Sequence, residues 1–197
     1  MFHQGLILIK MLHSIYQKPI NFNDKADSII LGAGCFWGVE KKFWDLNGVA
    51  MTATGYAGGH LVDPTYEEVC SGVTNHAEVI KVEFDSTIIP LKTILSIFWE
   101  CHDPTQGMRQ GNDIGSQYRS AIYCANQSDL DLAVTTKEIY QEELIKQGFK
   151  FFASDGITTE IKIETVFFLA EDYHQQYLHK NPNGYCGIGG TGCSFPA

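Results

Sequence analysis

An apolar run that breaks at a glycine turn and re-emerges as a helical repeat constrains this chain more than any other stretch. In Ile29-Ile30-Leu31-Gly32-Ala33-Gly34-Cys35-Phe36-Trp37-Gly38-Val39-Glu40, the residues before Gly32 read as a buried strand. Phe36, Val39, Phe43 and Leu46 then recur at helical spacing. The thiol of Cys35 is thereby placed at the mouth of a helix N-terminus, where free amide N–H groups and the helix dipole favour thiolate over thiol by roughly 0.3–1 kcal/mol. The competing reading is a buried cysteine acting as a small hydrophobe. Two aromatics beside it at a turn favour a chemical role.

With 197 residues, 44% hydrophobic and 19% charged, the chain has the length and composition of one domain with a substantial core. Its formal charge of -9 is spread without long acidic or basic blocks, which argues against nucleic acid or an anionic membrane as partner. The stretch 6–12 is apolar, but Lys10 interrupts it and no basic segment precedes it, so a secretory signal is not expected. No apolar run approaches the roughly 18 residues of a membrane span.

The cysteines stand at 35, 70, 101, 124, 186 and 193. A disulfide framework is unexpected in a chain of this size. Without a C-x-x-C pair, and with scattered histidines, a structural metal site is not expected either. Cys70, Cys101 and Cys124 are read as packing residues.

Along the chain, 1–27 lacks periodicity and reads as an extension outside the core. Strands are expected near 28–31, 51–56 and 79–84, with Val79, Lys81 and Glu83 alternating against Ile80, Val82 and Phe84. Pro90 opens a helix carrying Leu91, Ile94, Leu95 and Phe98. A strand over 118–124 follows, then a helix capped by Ser128 and running to about Lys146. The segment 161–169 reads as one more strand or a hairpin arm. The fold class implied is α/β, a two-layer sandwich with a mixed β-sheet core covered by helices. The domain plan is an extension (1–27), a catalytic domain (28–180) and an irregular, mobile Gly-rich C-terminal tail (181–197) carrying Cys186 and Cys193. A tail of that length reaches roughly 55 Å at about 3.3 Å per residue, so chain length does not keep Cys186 from Cys35.

Three polar loops hold residues that suit a site around Cys35. One contains Tyr66, one contains Glu78, and the glycine-spaced stretch 107–118 contains Asp113 and Tyr118. Taken singly, each reads as an ordinary surface or packing residue, and spacing does not bring them together.

Seven strings in order carry a resemblance over most of the chain. They are GCFWG (34–38), GYAGG (55–59), PTYEEVCSG (64–72), HAEV (76–79), HDPTQGMRQGNDIGSQYRSAIY (102–123), EDYHQQYL (171–178) and GYCGIGG (184–190). Together they closely resemble peptide methionine sulfoxide reductase A, a class that restores methionine from one sulfoxide epimer. The resemblance implies that Cys35 attacks the sulfoxide sulfur and that Phe36 and Trp37 wall the substrate methyl, selecting the S epimer. Glu78 would give a proton to the departing oxygen, Tyr66 and Tyr118 would hydrogen-bond to it, and Asp113 would position substrate or water. The Cys35 sulfenic acid would be resolved by Cys186, directly or with relay through Cys193, and recycled by thioredoxin, with dithiothreitol as substitute in vitro. Cys193 follows Cys186 by one residue fewer than in several members with two recycling cysteines. No metal or organic cofactor is implied. The expected partners are thioredoxin and oxidised proteins or peptides containing methionine sulfoxide. The expected state is a cytoplasmic monomer.

Two rivals make separate expectations. A thiol peroxidase would consume peroxide briskly without sulfoxide turnover. A redox sensor would use a Cys35–Cys186 switch to change partners and oxidise once without turnover.

Overall fold

A computed structural model of the chain describes residues 11–152, 156–164 and 166–196. In chain order the elements are β1 (Leu12–His13), β2 (Lys18–Pro19), β3 (Asp27–Ala33), α1 (Phe36–Phe43), β4 (Val49–Ala57), α2 (Tyr66–Cys70), β5 (Ala77–Phe84) and α3 (Leu91–Cys101). They continue with β6 (Arg109–Gln110), β7 (Asp113–Ile114), β8 (Ser120–Cys124), α4 (Gln127–Lys146), β9 (Glu160–Ile163), β10 (Phe168–Leu169) and α5 (Tyr177–Lys180). Short 3-10 turns form at Ser116–Tyr118 and Asp172–His174.

Six strands make a mixed sheet in the order β10-β4-β5-β3-β8-β9, antiparallel except for the β8–β9 pair. Strand parity decides what each face buries. Ile29, Leu31, Ile80, Val82 and Ile122 join Phe36, Val39, Phe43, Leu95 and Phe98 in the main core, between the sheet and helices α1, α3 and α4. The opposite face carries Ile30, Val79, Ala121 and Tyr123. The α/β layering is the one expected.

Several expectations are corrected. Helix α1 stops at Phe43 rather than Leu46, because the chain must reverse into β4 and does so at Gly48, whose φ is +96. The cap of α4 is Asn126, whose side chain accepts from the backbone N–H of Asp129, and not Ser128. Tyr118 belongs to a 3-10 turn, and its strand begins at Ser120. The segment read as one strand or hairpin arm splits into β9 and β10, which pair at opposite edges of the sheet.

The extension read as lying outside the core contributes to it. Ile20 packs with Met51 and Ala53 on the second sheet face. His13 is buried and its Nε2 hydrogen-bonds Thr52 Oγ1 at 3.1 Å. The expectations for residues 1–10 lie outside the described residues. Among the described residues, no helix is long and apolar enough to cross a membrane.

Candidate active site

The strand-to-helix turn works because of Gly34. Its φ is +91, and a Cβ there would come within 2.7 Å of the Gln110 side chain. The turn leaves Cys35 as the N-cap of α1, half-buried, with its thiol near the backbone N–H groups of Trp37 and Gly38. Glu78 arrives from the sheet. It shares the face of Ile80, Val82 and Phe84 on β5, sits opposite Tyr56 of β4, and is 2% exposed. A carboxyl thus occupies what parity makes a core position, and its Oε2 accepts the Phe36 backbone N–H at 3.2 Å.

Tyr66 opens α2 behind a capping box formed by Thr65 and Glu68. Asp113 lies on the short β7 and Tyr118 closes the 3-10 turn before β8. With Cys35, Phe36, Trp37, Glu78 and Tyr185, these residues line a cavity of about 140 Å³. Seven residues singled out in the sequence are therefore gathered at one place. Tyr185 is the addition that sequence reasoning missed. Its hydroxyl donates to Asp113 Oδ2 at 3.1 Å, tying the C-terminal tail to the rim. Its position next to Cys186 in the GYCGIGG string was the available signal. A roomier cavity on the other sheet face, lined by Asp24, Lys81, Tyr123 and Glu164 among others, contains no cysteine.

The two recycling candidates differ. Cys186 is exposed and lies over the first turn of α1: a Cβ on Gly38 would be 3.2 Å from Cys186 Sγ and 3.0 Å from Ile188 Cβ. Only glycine lets the tail pass so close to the helix that begins at Cys35. Cys193 is not brought to the site. It is buried in the main core, and its carbonyl accepts from the Tyr140 hydroxyl at 3.0 Å. The tail is irregular, as expected, but it is held near its end, where the Phe195 N–H donates to Glu100 Oε1 at 2.6 Å. Cys70, read as a packing residue, is instead exposed. Cys101 and Cys124 are buried.

Electrostatics overturn one expectation. Burial first, and then the Glu78 carboxylate, push the Cys35 thiol up to about 12, outweighing the N–H groups of Trp37 and Gly38 that pull the other way. The resting group is thiol, not thiolate. Burial also raises Glu78 to about 8, against the Phe36 N–H and with help from the charge of Asp113. At neutral pH the carboxyl is mostly protonated, so the pocket holds a thiol and a carboxylic acid side by side. Burial raises the phenols of Tyr66 and Tyr118, which stay hydrogen-bond donors. Among the described residues no group of three or more His, Cys, Asp or Glu is placed to hold a metal ion.

The family model for peptide methionine sulfoxide reductase matches residues 27–191. MsrA of Photobacterium profundum is 54% identical over 179 residues, 91% of this chain and 81% of that protein. The structure of methionine sulfoxide reductase A of Corynebacterium diphtheriae superposes with a TM-score of 0.81 at 40% identity, covering 95% of this chain and 91% of that one. Mxr1 from Saccharomyces cerevisiae in reduced form gives 0.75 at 34% identity, over 85% of this chain and 93% of that one. The same yeast protein in complex with Trx2 gives 0.53 at 25% identity, over 80% and 89%. Sequence and fold agree over the same span, and the chain belongs to the peptide methionine sulfoxide reductase family.

Proposed function

We propose that the chain reduces the S epimer of methionine sulfoxide, peptide-bound and free, to methionine. The observation that carries this is one small cavity in which a thiol, a protonated carboxyl, three phenols and the rings of Phe36 and Trp37 converge. Phe36 and Trp37 offer an apolar wall for the S-methyl group, while Glu78, Tyr66 and Tyr118 offer protons to the oxygen. A tetrahedral sulfur whose methyl and oxygen are both fixed, with Cys35 on a third side, has one direction left for the rest of the substrate. Only one hand fits.

As Cys35 Sγ bonds to the substrate sulfur, Glu78 hands its proton to the oxygen and the thiol proton restores the acid; the hydroxyl then passes to Cys35 Sγ as the Sγ–S and substrate S–O bonds break, leaving the electron pair on the methionine sulfur. In sum, one oxygen moves from substrate sulfur to Cys35, giving methionine and a Cys35 sulfenic acid, oxidised by two electrons. Asp113 acts at the rim, where it holds Tyr185. Cys186 then condenses with the sulfenic acid to a disulfide and releases water. Thioredoxin reduces that disulfide by exchange, a role supported by the complex of the related Mxr1 with Trx2. Cys193 serves as a relay once the end of the tail leaves the core. Each electron pair travels through sulfur, so no prosthetic group is required, and the reducing cytoplasm suits the cycle.

The test is turnover of S- and R-sulfoxide peptides with dithiothreitol. S turnover that is lost in Cys35→Ser supports the reading. Peroxide consumption without sulfoxide turnover would replace it with a peroxidase, and one oxidation without turnover would replace it with a sensor.

A further inference from the structure

The string EDYHQQYL places one buried histidine against the site with no part in the chemistry above. His174 is 1% exposed, and its ring centroid lies 4.9 Å from Phe36, 4.6 Å from Tyr66 and 5.7 Å from Trp37. The Trp37 indole N–H donates to His174 Nδ1 at 3.0 Å. An indole nitrogen only donates, so Nδ1 carries the lone pair and the imidazole proton sits on Nε2. That Nε2 is buried without a hydrogen-bond partner and faces Glu171 Oε2 at 3.8 Å. Glu171 is itself engaged: Oε1 accepts the Tyr66 backbone N–H at 2.9 Å and Oε2 the Tyr56 hydroxyl at 2.8 Å.

Trp37 is also stacked on Tyr177, with ring centroids 3.8 Å apart and planes 16° from parallel. Stacking resists tilt but lets a ring turn and slide in its own plane. A hydrogen bond at the ring edge removes that freedom.

We infer that Glu171 and His174 are a positioning pair for the sulfoxide pocket. The imidazole, with the Glu171 carboxylate facing its Nε2 at 3.8 Å, pins Trp37, and the same carboxylate pins the Tyr66 backbone, so that the methyl wall and the oxygen donor keep a fixed separation. This rests on the sulfoxide reading for its kinetic consequence but not for its structural one.

The test compares His174→Leu, which removes the acceptor, with His174→Asn, which offers a carbonyl near the place of Nδ1, and His174→Gln, whose carbonyl lies near Nε2. The readouts are the ¹⁵N–¹H indole resonance of Trp37, assigned by its loss in Trp37→Phe, and KM and kcat for an S-sulfoxide peptide. His174→Leu is expected to shift the indole proton upfield and raise KM by about tenfold, the worth of one hydrogen bond of ordinary strength, with kcat much less affected. Asn is expected to restore both readouts and Gln neither. If Leu fails to fold, the Asn–Gln contrast decides alone. An indole resonance and KM indifferent to all three replacements, or Gln restoring what Asn does not, would overturn the inference. Should the wild type reduce no sulfoxide, the function falls, while the indole resonance still decides the tether.

Discussion

Replacing Glu78 with Gln separates the acid from its shape. Gln keeps the side chain's volume and an oxygen that can accept the Phe36 N–H, but removes the proton and the charge. Burial holds the Glu78 carboxyl at about 8 against an ordinary 4.5. A gap of that size corresponds to a penalty on the order of 4–5 kcal/mol for ionising the carboxyl in the fold, at about 1.36 kcal/mol per unit. The sign follows from proton binding. The folded state holds this proton more tightly than the unfolded state, so the contribution is fully present below about 4.5 and is lost as pH rises through about 8. Glu78→Gln should therefore be more stable than wild type at pH 9, by several kcal/mol, with the difference shrinking towards pH 5. Denaturant melts at the two pH values read it directly. In the same variant, sulfoxide turnover should fall by about 10²–10⁴, the usual worth of a general acid, and the loss of rate expected of wild type as pH rises through about 8 should disappear. Wild-type turnover in Glu78→Gln, or a variant no more stable at pH 9 than the parent, would refute the assignment of a buried, protonated acid.

Other outcomes follow from the same geometry. Gly38→Ala would press a methyl to within 3.0 Å of Ile188 Cβ and 3.2 Å of Cys186 Sγ; it should slow disulfide formation in quench experiments while leaving release of the first methionine unchanged. Cys193 is buried away from the cavity, so Cys193→Ser should keep full turnover with dithiothreitol and lose rate only with thioredoxin. Burial holds His13, His102 and His174 near 4 instead of 6.5. The unfolded chain therefore takes up protons first, and these histidines should subtract stability as pH falls from about 6.5 to 4, a loss that melts of His102→Gln should show reduced.

What could be read from the residues alone divides along physical lines. Strands β3, β4 and β5 and helix α1 were legible because their apolar signal is local: β3 is a continuous apolar run buried on both faces, and α1 repeats at helical spacing. Glu78 was reached only through the resemblance, because the strand was expected to begin at Val79; its parity with Ile80 and Val82 emerges once β5 is seen to start at Ala77. The thiolate expectation at Cys35 failed because a sequence shows the helix terminus but not the burial and the neighbouring carboxylate that outweigh it. The segment 161–169 was misread because β9 and β10 take their pairing from β8 and β4, far away in sequence. Composition announced an irregular tail. It could not announce that Tyr140 and Glu100 hold its end or that His13 and Ile20 of the extension are buried.

The central claim is that Cys35 takes the substrate's oxygen and Cys186 resolves it. Peptide mapping of the protein after one equivalent of an S-sulfoxide peptide, with no reductant present, tests this most directly. The account predicts a Cys35–Cys186 linkage and one methionine released per chain. Methionine release with Cys35 and Cys186 both left as free thiols would contradict it.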